Sequence, residues 1–297
     1  MQAATDTLLQ RLKTLGNLTR MRLTALCRLG ECSVSELTRI IGQSQPRVSQ
    51  QLKQLCDAGL LRRFRDGKQV FYRVPARDGA EADLRRLFEL IPVDDPVFVE
   101  DLRQLREHRG QGVGEAGAAR EIDLADRAIH KALVELTVAA PIGDLLDVGC
   151  GRGSVLKLLA SRAGRAVGVD IDESARRLAR AELMLAGLPN CSLRQGSMYR
   201  LPFDDAEFNT IILDDVLAEA DDPVRALLES RRLLKRSGRL FILQAVSEAT
   251  ANRIQQSLAK WSAEAQLRMA PAHFVPAKKP QWLLSVATLA DSRDAAA

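Results

Sequence analysis

From residue 144 to residue 244 the sequence alternates short apolar runs, typical of β-strands, with longer helical runs. In chain order these runs are DLLDVG, SVLKLLASR, RAVGVD, ESARRLARAELMLAG, NTIILDD, PVRALLESRRLLKR and RLFILQ. Parallel strands need a crossover connection, and a helix usually supplies it. The alternation therefore predicts an α/β fold with a doubly wound, mainly parallel sheet.

The turn after the first of these strands carries glycine at three alternate positions. Gly149, Gly151 and Gly153 allow a tight turn and a close approach of the backbone to a ligand, and Asp170 ends the second strand, where it could accept both hydroxyls of a ribose. An NAD site follows the same logic, but its usual GxGxxG spacing is not met. A turn that only packs a helix on a strand, without any ligand, is the alternative.

The first third of the chain predicts three helices followed by a β-hairpin. The segment NLTRMRLTALCRLG has a helical apolar stripe closed by Gly30 as a C-terminal cap. A second helix begins with a capping box formed by Ser33 and Glu36. A third helix follows in SQPRVSQQLKQL, with Ser44 as its N-cap, and Gly59 ends it.

The third helix has one apolar face and one polar face. The polar side chains suit the base edges and phosphates of a DNA major groove. After it, LLRRFRDGKQVFYRV predicts two short strands around Asp66-Gly67, a type I′ hairpin signal with basic residues near its tip. The expected DNA-binding residues are Ser44, Gln45, Arg47, Ser49, Gln50 and Lys53 of the helix and Arg63, Arg65 and Lys68 of the hairpin.

The net charge of +5 is unevenly distributed. Residues 1–78 carry 14 Lys and Arg against 6 Asp and Glu, a net charge of +8, whereas residues 79–297 carry 29 against 32, a net charge of −3. A basic domain of this kind is typical of proteins that bind nucleic-acid phosphates. On charge alone, a solvated basic face fits equally well.

Residues 15–74 resemble the ArsR-type winged-helix repressors along their whole length. The resemblance implies a homodimer that binds pseudo-palindromic double-stranded operator DNA. The terminal helices, here residues 5–15 and 81–91, would pack across the two-fold axis. Metal-sensing members carry two cysteines where this chain has Ser33 and Ser35, and hydroxyls are poor ligands for soft metals.

The cysteine and histidine positions predict neither a disulfide framework nor a metal site. The five cysteines are odd in number and show no zinc-ligand spacing, and the three histidines lie far in sequence from any Cys or acidic cluster. Cys27 and Cys32 fall in or near the apolar stripe of the first helix, where a free cysteine is typical of a core. A thiol-redox role for this pair stays open.

With LPFDDAEFNTIIL and ESRRLLKRSGRLFIL added, residues 140–245 resemble the class I S-adenosylmethionine-dependent methyltransferases, a Rossmann-like fold with a seven-stranded sheet. The resemblance implies S-adenosylmethionine or S-adenosylhomocysteine as the bound cofactor. Asp147 and Gly149 would lie near its methionine end, Asp170 would hold the ribose and Ile171 would pack on the adenine. Ser197 stands where an Asp is usual. The expected cofactor-binding residues are Asp147, Gly149, Cys150, Gly151, Gly153, Asp170, Ile171, Ser197, Met198 and Asp214.

The sequence assigns no catalytic residue. Asp214, Asp215 and Glu219 are candidates, but carboxylates at a strand end and a helix start are more often caps or solvated groups. Methyltransferases fused to ArsR-type domains resemble this chain but commonly carry an aromatic-rich helical cover before the first strand and a His-containing stretch after the fourth. The corresponding segments here, GAAREIDLADRAIHKAL and LDDVLAEADDP, differ from both. Methyl transfer and the identity of an acceptor are therefore left open.

Three divisions of the chain follow from these patterns. We expect a winged helix-turn-helix domain for DNA binding and dimerisation over residues 1–92, a linker helix and glycine-rich linker over 93–120, and a cofactor-binding domain over 121–297. No apolar run is long enough for a membrane helix and no secretory leader is recognisable. We expect a cytoplasmic protein without a membrane partner.

Three functions are compatible with this organisation. In the first, the protein is a dimeric transcriptional regulator whose methyltransferase-like domain binds S-adenosylmethionine or S-adenosylhomocysteine as an effector. In the second, it is an active methyltransferase that uses its DNA-binding domain for autoregulation. In the third, it is a metal- or redox-responsive repressor with a ligand-free rear domain.

Overall fold

The computed structural model describes residues 2–75, 82–116, 124–138, 140–270, 273–275 and 281–289. The chain divides into two compact units. Unit 1 comprises Met1–Ala118 and Arg177–Ser192, and unit 2 comprises Ala119–Arg176 and Leu193–Ala297. None of the described helices is both long and apolar enough to cross a membrane.

Unit 1 contains the predicted winged helix. Its N-terminal elements are α1 (Gln2–Leu15), α2 (Leu18–Arg28), β1 (Cys32–Ser33), α3 (Val34–Ile41), α4 (Gln45–Asp57), β2 (Arg62–Asp66), β3 (Gln69–Arg73), α5 (Ala82–Glu89) and α6 (Pro96–Ala116). Helices α3 and α4 form the helix-turn-helix, and the three strands form an antiparallel sheet in the order β1-β3-β2. The β2-β3 hairpin is the wing.

The ends of helices α2 and α3 follow from local hydrogen bonds. The capping box of α3 is confirmed, because Ser33 Oγ accepts from the Glu36 N–H at 3.2 Å and the Glu36 carboxylate accepts from the Ser33 N–H at 2.7 Å. The predicted cap at Gly30 is wrong. Helix α2 ends at Arg28 with Leu29 as the C-cap, and Gly30 lies beyond it with a φ of 150°.

The turn of the wing also differs from the prediction. Asp66 pairs with Gln69 as the last residue of β2, which leaves Gly67 and Lys68 as the two-residue loop. Gly67 has a φ of 59°, whereas Lys68 is absent from the residues with positive φ in the described part of the chain. A type I′ turn requires positive φ at both loop residues, so the type I′ prediction was wrong.

The glycine-rich stretch expected to be a linker is helical up to Ala116, and its residues 117–120 lie outside the described residues. Helix α6 continues to Ala116 and passes through Gly110, Gly112 and Gly114. Arg109 anchors this helix, since its guanidinium donates to the Glu36 carboxylate at 2.8 Å and to the Glu31 carbonyl at 2.6 Å. Tertiary contacts of this kind override the poor helix propensity of glycine.

The core of unit 1 is built from the apolar faces of its helices. The apolar face of α4 predicts a buried stripe of Val48, Leu52, Leu55 and Cys56; the first three are fully buried, whereas Cys56 is only partly buried. Cys27 and Cys32 are free thiols and fully buried in the same core. Burial of these two side chains fits the packing role that the sequence favoured.

Unit 2 contains the predicted α/β sheet. The elements of the chain from residue 124 onward are α7 (Leu124–Val138), β4 (Gly143–Val148), α8 (Ser154–Leu159), β5 (Ala163–Asp170), α9 (Glu173–Leu185), β6 (Cys191–Gln195), β7 (Phe208–Asp214), α10 (Pro223–Leu233), β8 (Leu234–Val246), α11 (Glu248–Glu264), β9 (Leu267–Met269), β10 (His273–Val275) and β11 (Gln281–Leu289). Of these, the part of α9 from Arg177 and the first two residues of β6 cluster with unit 1.

The sheet order identifies where a ligand would bind. Seven strands run in the order β10-β11-β8-β7-β4-β5-β6, and the short β9 pairs with β11 as an eighth strand in the described residues. Pairings of β4 with β5 and β7, and of β7 with β8, are parallel, whereas β11 is antiparallel to β8. Because β4 lies between β5 and β7, the order reverses there, and open α/β sheets bind ligands at such a switch point.

Candidate functional site

The turn after β4 requires glycine for two different reasons. Gly149 has a φ of 79°, and a Cβ atom there would lie 2.2 Å from Val216 Cγ1. Gly151 and Gly153 have φ values of 49° and 77°, and a Cβ atom at Gly151 would meet only the backbone oxygen of Gly149, at 4.0 Å. Backbone conformation thus selects glycine at all three positions, and close packing selects it additionally at Gly149.

Asp170, at the end of β5, is held by backbone amides. Its Oδ2 accepts a hydrogen bond from the Gly151 N–H and its Oδ1 accepts one from the Asp172 N–H, each at 2.8 Å. The carbonyl of Asp170 accepts from the buried Arg176 guanidinium at 2.9 Å. A carboxylate oxygen has a second lone pair, so Asp170 retains acceptor capacity for ribose hydroxyls.

Asp147 is the most unusual polar residue of unit 2. Its side chain is fully buried in β4, and neither carboxylate oxygen has a hydrogen-bond partner within the described structure. Burial, and then the charges of Asp214 and Asp170 at the ends of the flanking strands, raise the pKa of Asp147 well above its usual range. Three carboxylates around one switch point suit a ligand with a cationic group.

Cys150 follows the first glycine of the turn and lies beside these carboxylates. Burial, with the nearby charges of Asp147, Asp170 and Asp214, strongly raises the pKa of the Cys150 thiol. The neutral thiol packs closely against the backbone of β5, where a Cβ atom at Gly168 would lie 2.8 Å from Cys150 Sγ. Because a thiolate is the reactive form of cysteine, this environment favours packing over nucleophilic chemistry.

The residues expected at the adenine side occupy the loops after β5 and β6. Ile171 directly follows Asp170 and is 73% exposed, which is unusual for a large apolar side chain. Ser197 forms an isolated antiparallel bridge with Arg200. Met198 packs against the hydrophobic core of unit 2. The adenine contacts expected of these side chains remain predictions.

Asp215 has a structural environment rather than a catalytic one. It has a φ of 55°, and its Oδ1 accepts from the Ala245 N–H at 2.9 Å and from the amide of Gln244. Gln244 in turn accepts from the Ala218 N–H at 3.0 Å. Burial raises the pKa of Asp215. Together these bonds fix the loop after β7.

Gln244 is a site-shaping residue that the sequence analysis did not identify. It is 97% buried at the end of β8, as its relative exposure of 3% shows. The signal was a single amide at the end of the apolar run RLFILQ. Buried amides need hydrogen-bond partners, so such a residue indicates that a loop is fixed nearby.

In unit 1 the expected DNA-binding residues lie on α4 and the wing. Ser49 is half-buried, and the other eight are exposed; these are Ser44, Gln45, Arg47, Gln50, Lys53, Arg63, Arg65 and Lys68. A groove of about 530 Å³ brings side chains of the helix and the hairpin together, with Gln45, Ser49, Lys53 and Arg63 among its lining residues. The helix and wing therefore form one basic, accessible surface.

Gln54, although on the polar face of α4, is used within the protein. It accepts a hydrogen bond from the Arg20 guanidinium at 2.8 Å, and Gln51 accepts another at 2.9 Å. Ser44 has the extended backbone of an N-cap, but its side chain makes no capping hydrogen bond. The hydroxyl of Ser44 is thus left to solvent at the start of the helix.

Comparison with known families agrees with both units. Residues 20–63 match the model for bacterial regulatory proteins of the arsR family, and residues 146–242 match a methyltransferase domain. The chain joins an arsR-type helix-turn-helix domain to a methyltransferase domain. The Rossmann-like fold and the N-terminal helix-turn-helix expected from the sequence are confirmed.

Several curated proteins are similar to part of the chain. An uncharacterised 37.1 kDa transposon protein of Streptomyces fradiae is 34% identical over 54% of this chain and 49% of its own length. Nocamycin O-methyltransferase of Saccharothrix syringae is 35% identical over 38% of this chain and 42% of its own. Demethylmenaquinone methyltransferase of Thermotoga maritima is 31% identical over 44% and 60%. The chain thus spans about half the length of these relatives.

Solved structures agree with the methyltransferase fold. The N-methyltransferase NodS of Bradyrhizobium japonicum, solved in complex with S-adenosylhomocysteine, matches 61% of this chain and 96% of its own, with a TM-score of 0.51 and 16% identity. The [4+2]-cyclase SpnF matches 56% of this chain and 81% of its own, with a TM-score of 0.50 and 19% identity. At these identities the match shows the fold alone.

In the arsR-type domain, Ser33 and Ser35 form a hydrogen-bonded pair. Their hydroxyl oxygens are 3.0 Å apart, and Ser33 also caps α3. Within the described ranges, no group of three or more His, Cys, Asp or Glu residues could hold a metal ion. The position that carries cysteine in metal-sensing relatives thus serves helix capping here.

Proposed function

We propose that the protein is a DNA-binding transcriptional regulator whose methyltransferase domain binds S-adenosylmethionine or S-adenosylhomocysteine as an effector. The observation that carries this proposal is the presence, in one chain, of an exposed basic recognition surface on an arsR-type domain and a carboxylate-lined switch point in a methyltransferase domain. An effector site linked to a DNA-binding domain is the organisation that a ligand-controlled regulator needs.

The residues at the switch point fit the proposed ligand. Gly151 leaves room for a ligand to approach the backbone of the turn closely, and Asp170 has acceptor capacity for ribose hydroxyls. The sulfonium and ammonium groups of S-adenosylmethionine are cations, and Asp147 is a buried carboxyl group that lacks a partner in the described structure. When bound, S-adenosylmethionine supplies an electrophilic methyl group. Its demethylated product keeps the ammonium and could occupy the same residues.

Ile171, Ser197 and Met198 complete the proposed cofactor site, with Cys150, Gly153 and Asp214 near the methionine end. An adenine ring packed on Ile171 would cover apolar surface that is otherwise exposed to water. The hydroxyl of Ser197 offers one acceptor to the adenine amino group, where a carboxylate would offer more. Affinity for adenine is therefore lower than an Asp at this position would give.

A homodimer is part of the proposal. Leu8, Leu9 and Leu12 of α1 are 46%, 47% and 43% exposed, and Leu8 and Leu12 are one helical turn apart on the same face. An exposed apolar stripe on a helix is typical of a protein interface. Paired copies would present two α4 helices to the two halves of a palindromic operator.

In this proposal each of the three expected segments of the chain has its own role. Residues 1–92 would dimerise and bind double-stranded DNA, residues 93–120 would connect the domains, and residues 121–297 would bind the effector. A protein that acts on operators belongs in the cytoplasm. The ligand changes operator occupancy only by its different affinity for the free and DNA-bound dimers, about 1 to 3 kcal/mol, or roughly 5- to 150-fold.

Calorimetric titration of the full chain with each ligand tests the effector site. We expect micromolar binding that Asp170→Asn weakens at least tenfold, because the amide offers one oxygen where the carboxylate offers two. Asp172→Asn is the matched control, since Asp172 caps α9 through the Ser174 N–H and Asn caps a helix about as well as Asp. If neither S-adenosylmethionine nor S-adenosylhomocysteine produces heat of binding, the proposed effector site is refuted.

The proposed effect of the ligand on DNA binding is tested by measuring operator affinity. Operator duplexes selected by the protein itself from a random pool would be titrated by fluorescence anisotropy with and without saturating S-adenosylhomocysteine. We expect an affinity ratio of at least five between the two conditions. A ratio of one with proven ligand binding would refute sensing, while DNA binding by the arsR-type domain would stand.

Methyl transfer is the second candidate function, and it is favoured by the similarity to nocamycin O-methyltransferase and demethylmenaquinone methyltransferase. In that case the arsR-type domain would serve autoregulation. Transfer of a radiolabelled methyl group to small metabolites, DNA or protein tests this directly. Incorporation that Asp170→Asn abolishes would establish an enzyme, and a blank screen with proven binding would favour the regulator.

A further inference from the structure

The tip of the wing contains a buried acidic residue. Asp66 ends β2 next to the two-residue loop, a position that is normally solvated, yet its side chain is only 2% exposed. Arg180 covers it, with the guanidinium Nη2 2.5 Å from Asp66 Oδ2. Residue Arg180 belongs to the segment of α9 that clusters with unit 1.

The same guanidinium binds two other groups of unit 1. Its Nε lies 3.1 Å from the carboxylate of Glu31, which is 3% exposed, and its Cζ lies 4.0 Å from the centroid of the Phe71 ring in β3. Arg180 itself is 11% exposed. One planar cation thus joins the residue before β1 to both strands of the wing. We call these four residues the wing clamp.

The wing clamp depends strongly on the cation. Two buried carboxylates are expensive to ionise without a positive partner, and removal of Arg180 takes away a cation that both Glu31 and Asp66 contact. The fork of donors in an arginine also fixes geometry in a way that a single ammonium does not. The position of the wing is therefore set in part by a residue that lies more than one hundred positions away in sequence.

Arg180 is carried by a helix that starts at the proposed cofactor site. Helix α9 begins at Glu173, three residues after Asp170. The Asp170 carboxylate bonds the Asp172 N–H, and Asp172 caps the helix through the Ser174 N–H. A ligand that hydrogen-bonds to Asp170 therefore acts on the first turn of α9. Arg180 lies two turns further along the same helix.

We propose that the wing clamp transmits effector binding to the DNA-binding surface. This inference rests on the proposed function and names its regulation: occupancy at Asp170 changes the placement of α9, and Arg180 passes that change to Asp66 and Phe71 of the wing. The wing carries Arg63, Arg65 and Lys68, so its position alters the phosphate contacts available to DNA. The expected linker, residues 93–120, is then not the main route.

The test compares Arg180→Gln with Arg177→Gln in the full chain. Arg177 lies on the same helix, is exposed and makes none of the clamp contacts. Each variant would be titrated with S-adenosylhomocysteine, and then with operator DNA in the presence and absence of that ligand. Asp66→Asn provides a second, milder disruption that leaves the helix unchanged.

We expect Arg180→Gln and Asp66→Asn to bind S-adenosylhomocysteine within twofold of wild type. Their ratio of operator affinities with and without ligand should fall below two, whereas Arg177→Gln keeps the wild-type ratio. Amide hydrogen exchange over residues 62–73 should respond to the ligand in wild type and Arg177→Gln, and not in the two clamp variants. Folding of each variant is checked by its retained ligand binding.

The outcomes separate the two proposals. If wild type shows no ligand effect on DNA, the proposed regulation fails and the clamp with it. If wild type shows the effect and both clamp variants keep it in full, only the clamp is overturned, and the contact of Arg180 is a static support of the wing. Loss of the effect in Arg177→Gln as well would also overturn it, since α9 would then act without the clamp.

Discussion

Alanine at Gly149 should destabilise unit 2 far more than alanine at Gly151. Both substitutions force a side chain into the left-handed region, at φ values of 79° and 49°, which costs about 1 to 2 kcal/mol each. Only at Gly149 does the new Cβ atom meet neighbours, 2.2 Å from Val216 Cγ1 and 3.1 Å from the backbone oxygen of Asp214. Overpacking of this kind adds about 1 to 3 kcal/mol.

The two variants therefore form a matched pair, and their difference measures the clash alone. The chain has two tryptophans, Trp261 and Trp282, and both belong to unit 2. Intrinsic tryptophan fluorescence during urea unfolding thus reports on the unit that contains the turn. We expect the free energy of unfolding of Gly149→Ala to lie about 1 to 3 kcal/mol below that of Gly151→Ala.

A third variant tests the assigned cause. Val216→Ala removes the methyl group that the new Cβ atom meets, so it should cost less in the Gly149→Ala background than in wild type. Equal stabilities of the two glycine variants, within about 0.5 kcal/mol, would refute the close approach in the turn. Additive costs of Gly149→Ala and Val216→Ala would show that Val216 is not the obstacle.

Three further results are expected. Arg47→Ala should weaken operator binding with a sequence-dependent effect, and Arg65→Ala should weaken it uniformly and lower the salt slope by about one; wild-type affinity in both by anisotropy would contradict the DNA-binding surface. Because the folded pKa of Asp147 is raised, the native state holds more protons than the unfolded state, and wild type loses stability as pH rises from about 3.9 through the folded pKa. Asp147→Asn should not show this loss of stability in urea unfolding followed by tryptophan fluorescence. Equal dependence of stability on pH in wild type and Asp147→Asn would refute the raised pKa of Asp147. Arg109→Met should strongly reduce hydrogen-exchange protection of α3, since it leaves the partly buried Glu36 carboxylate without its cationic partner, whereas Arg103→Met, at an exposed residue, should not.

The elements of both domains could be predicted because their signals are local. The capping box of α3 and the buried stripe of α4 depend on residues within a few positions of each other, and both are confirmed. The alternation of strands and helices predicted the parallel core of the sheet for the same reason. Gly30 and the type I′ turn were wrong, because a local pattern locates a helix end or a hairpin loop only to within a residue or two.

The features that the sequence did not reveal depend on contacts between distant residues. Helix α6 continues through its glycines, and Arg109, the residue just before them, is anchored to Glu36, 73 positions away. Gln244 fixes the loop after β7 through Asp215. No local pattern encodes either contact, since each needs a buried polar group to meet its partner in the folded chain.

The two domain types, the glycine turn with Asp170, and the basic face of α4 and the wing can all be read from the amino-acid sequence. Propensity, periodicity and charge act over short ranges, and these features need nothing more. The burial of Asp147 beside two other carboxylates and the contact of Arg180 with the tip of the wing arise from the folding of distant segments against each other. Burial and ion pairing depend on which distant segments pack together, and the free energies of these groups are set by that packing.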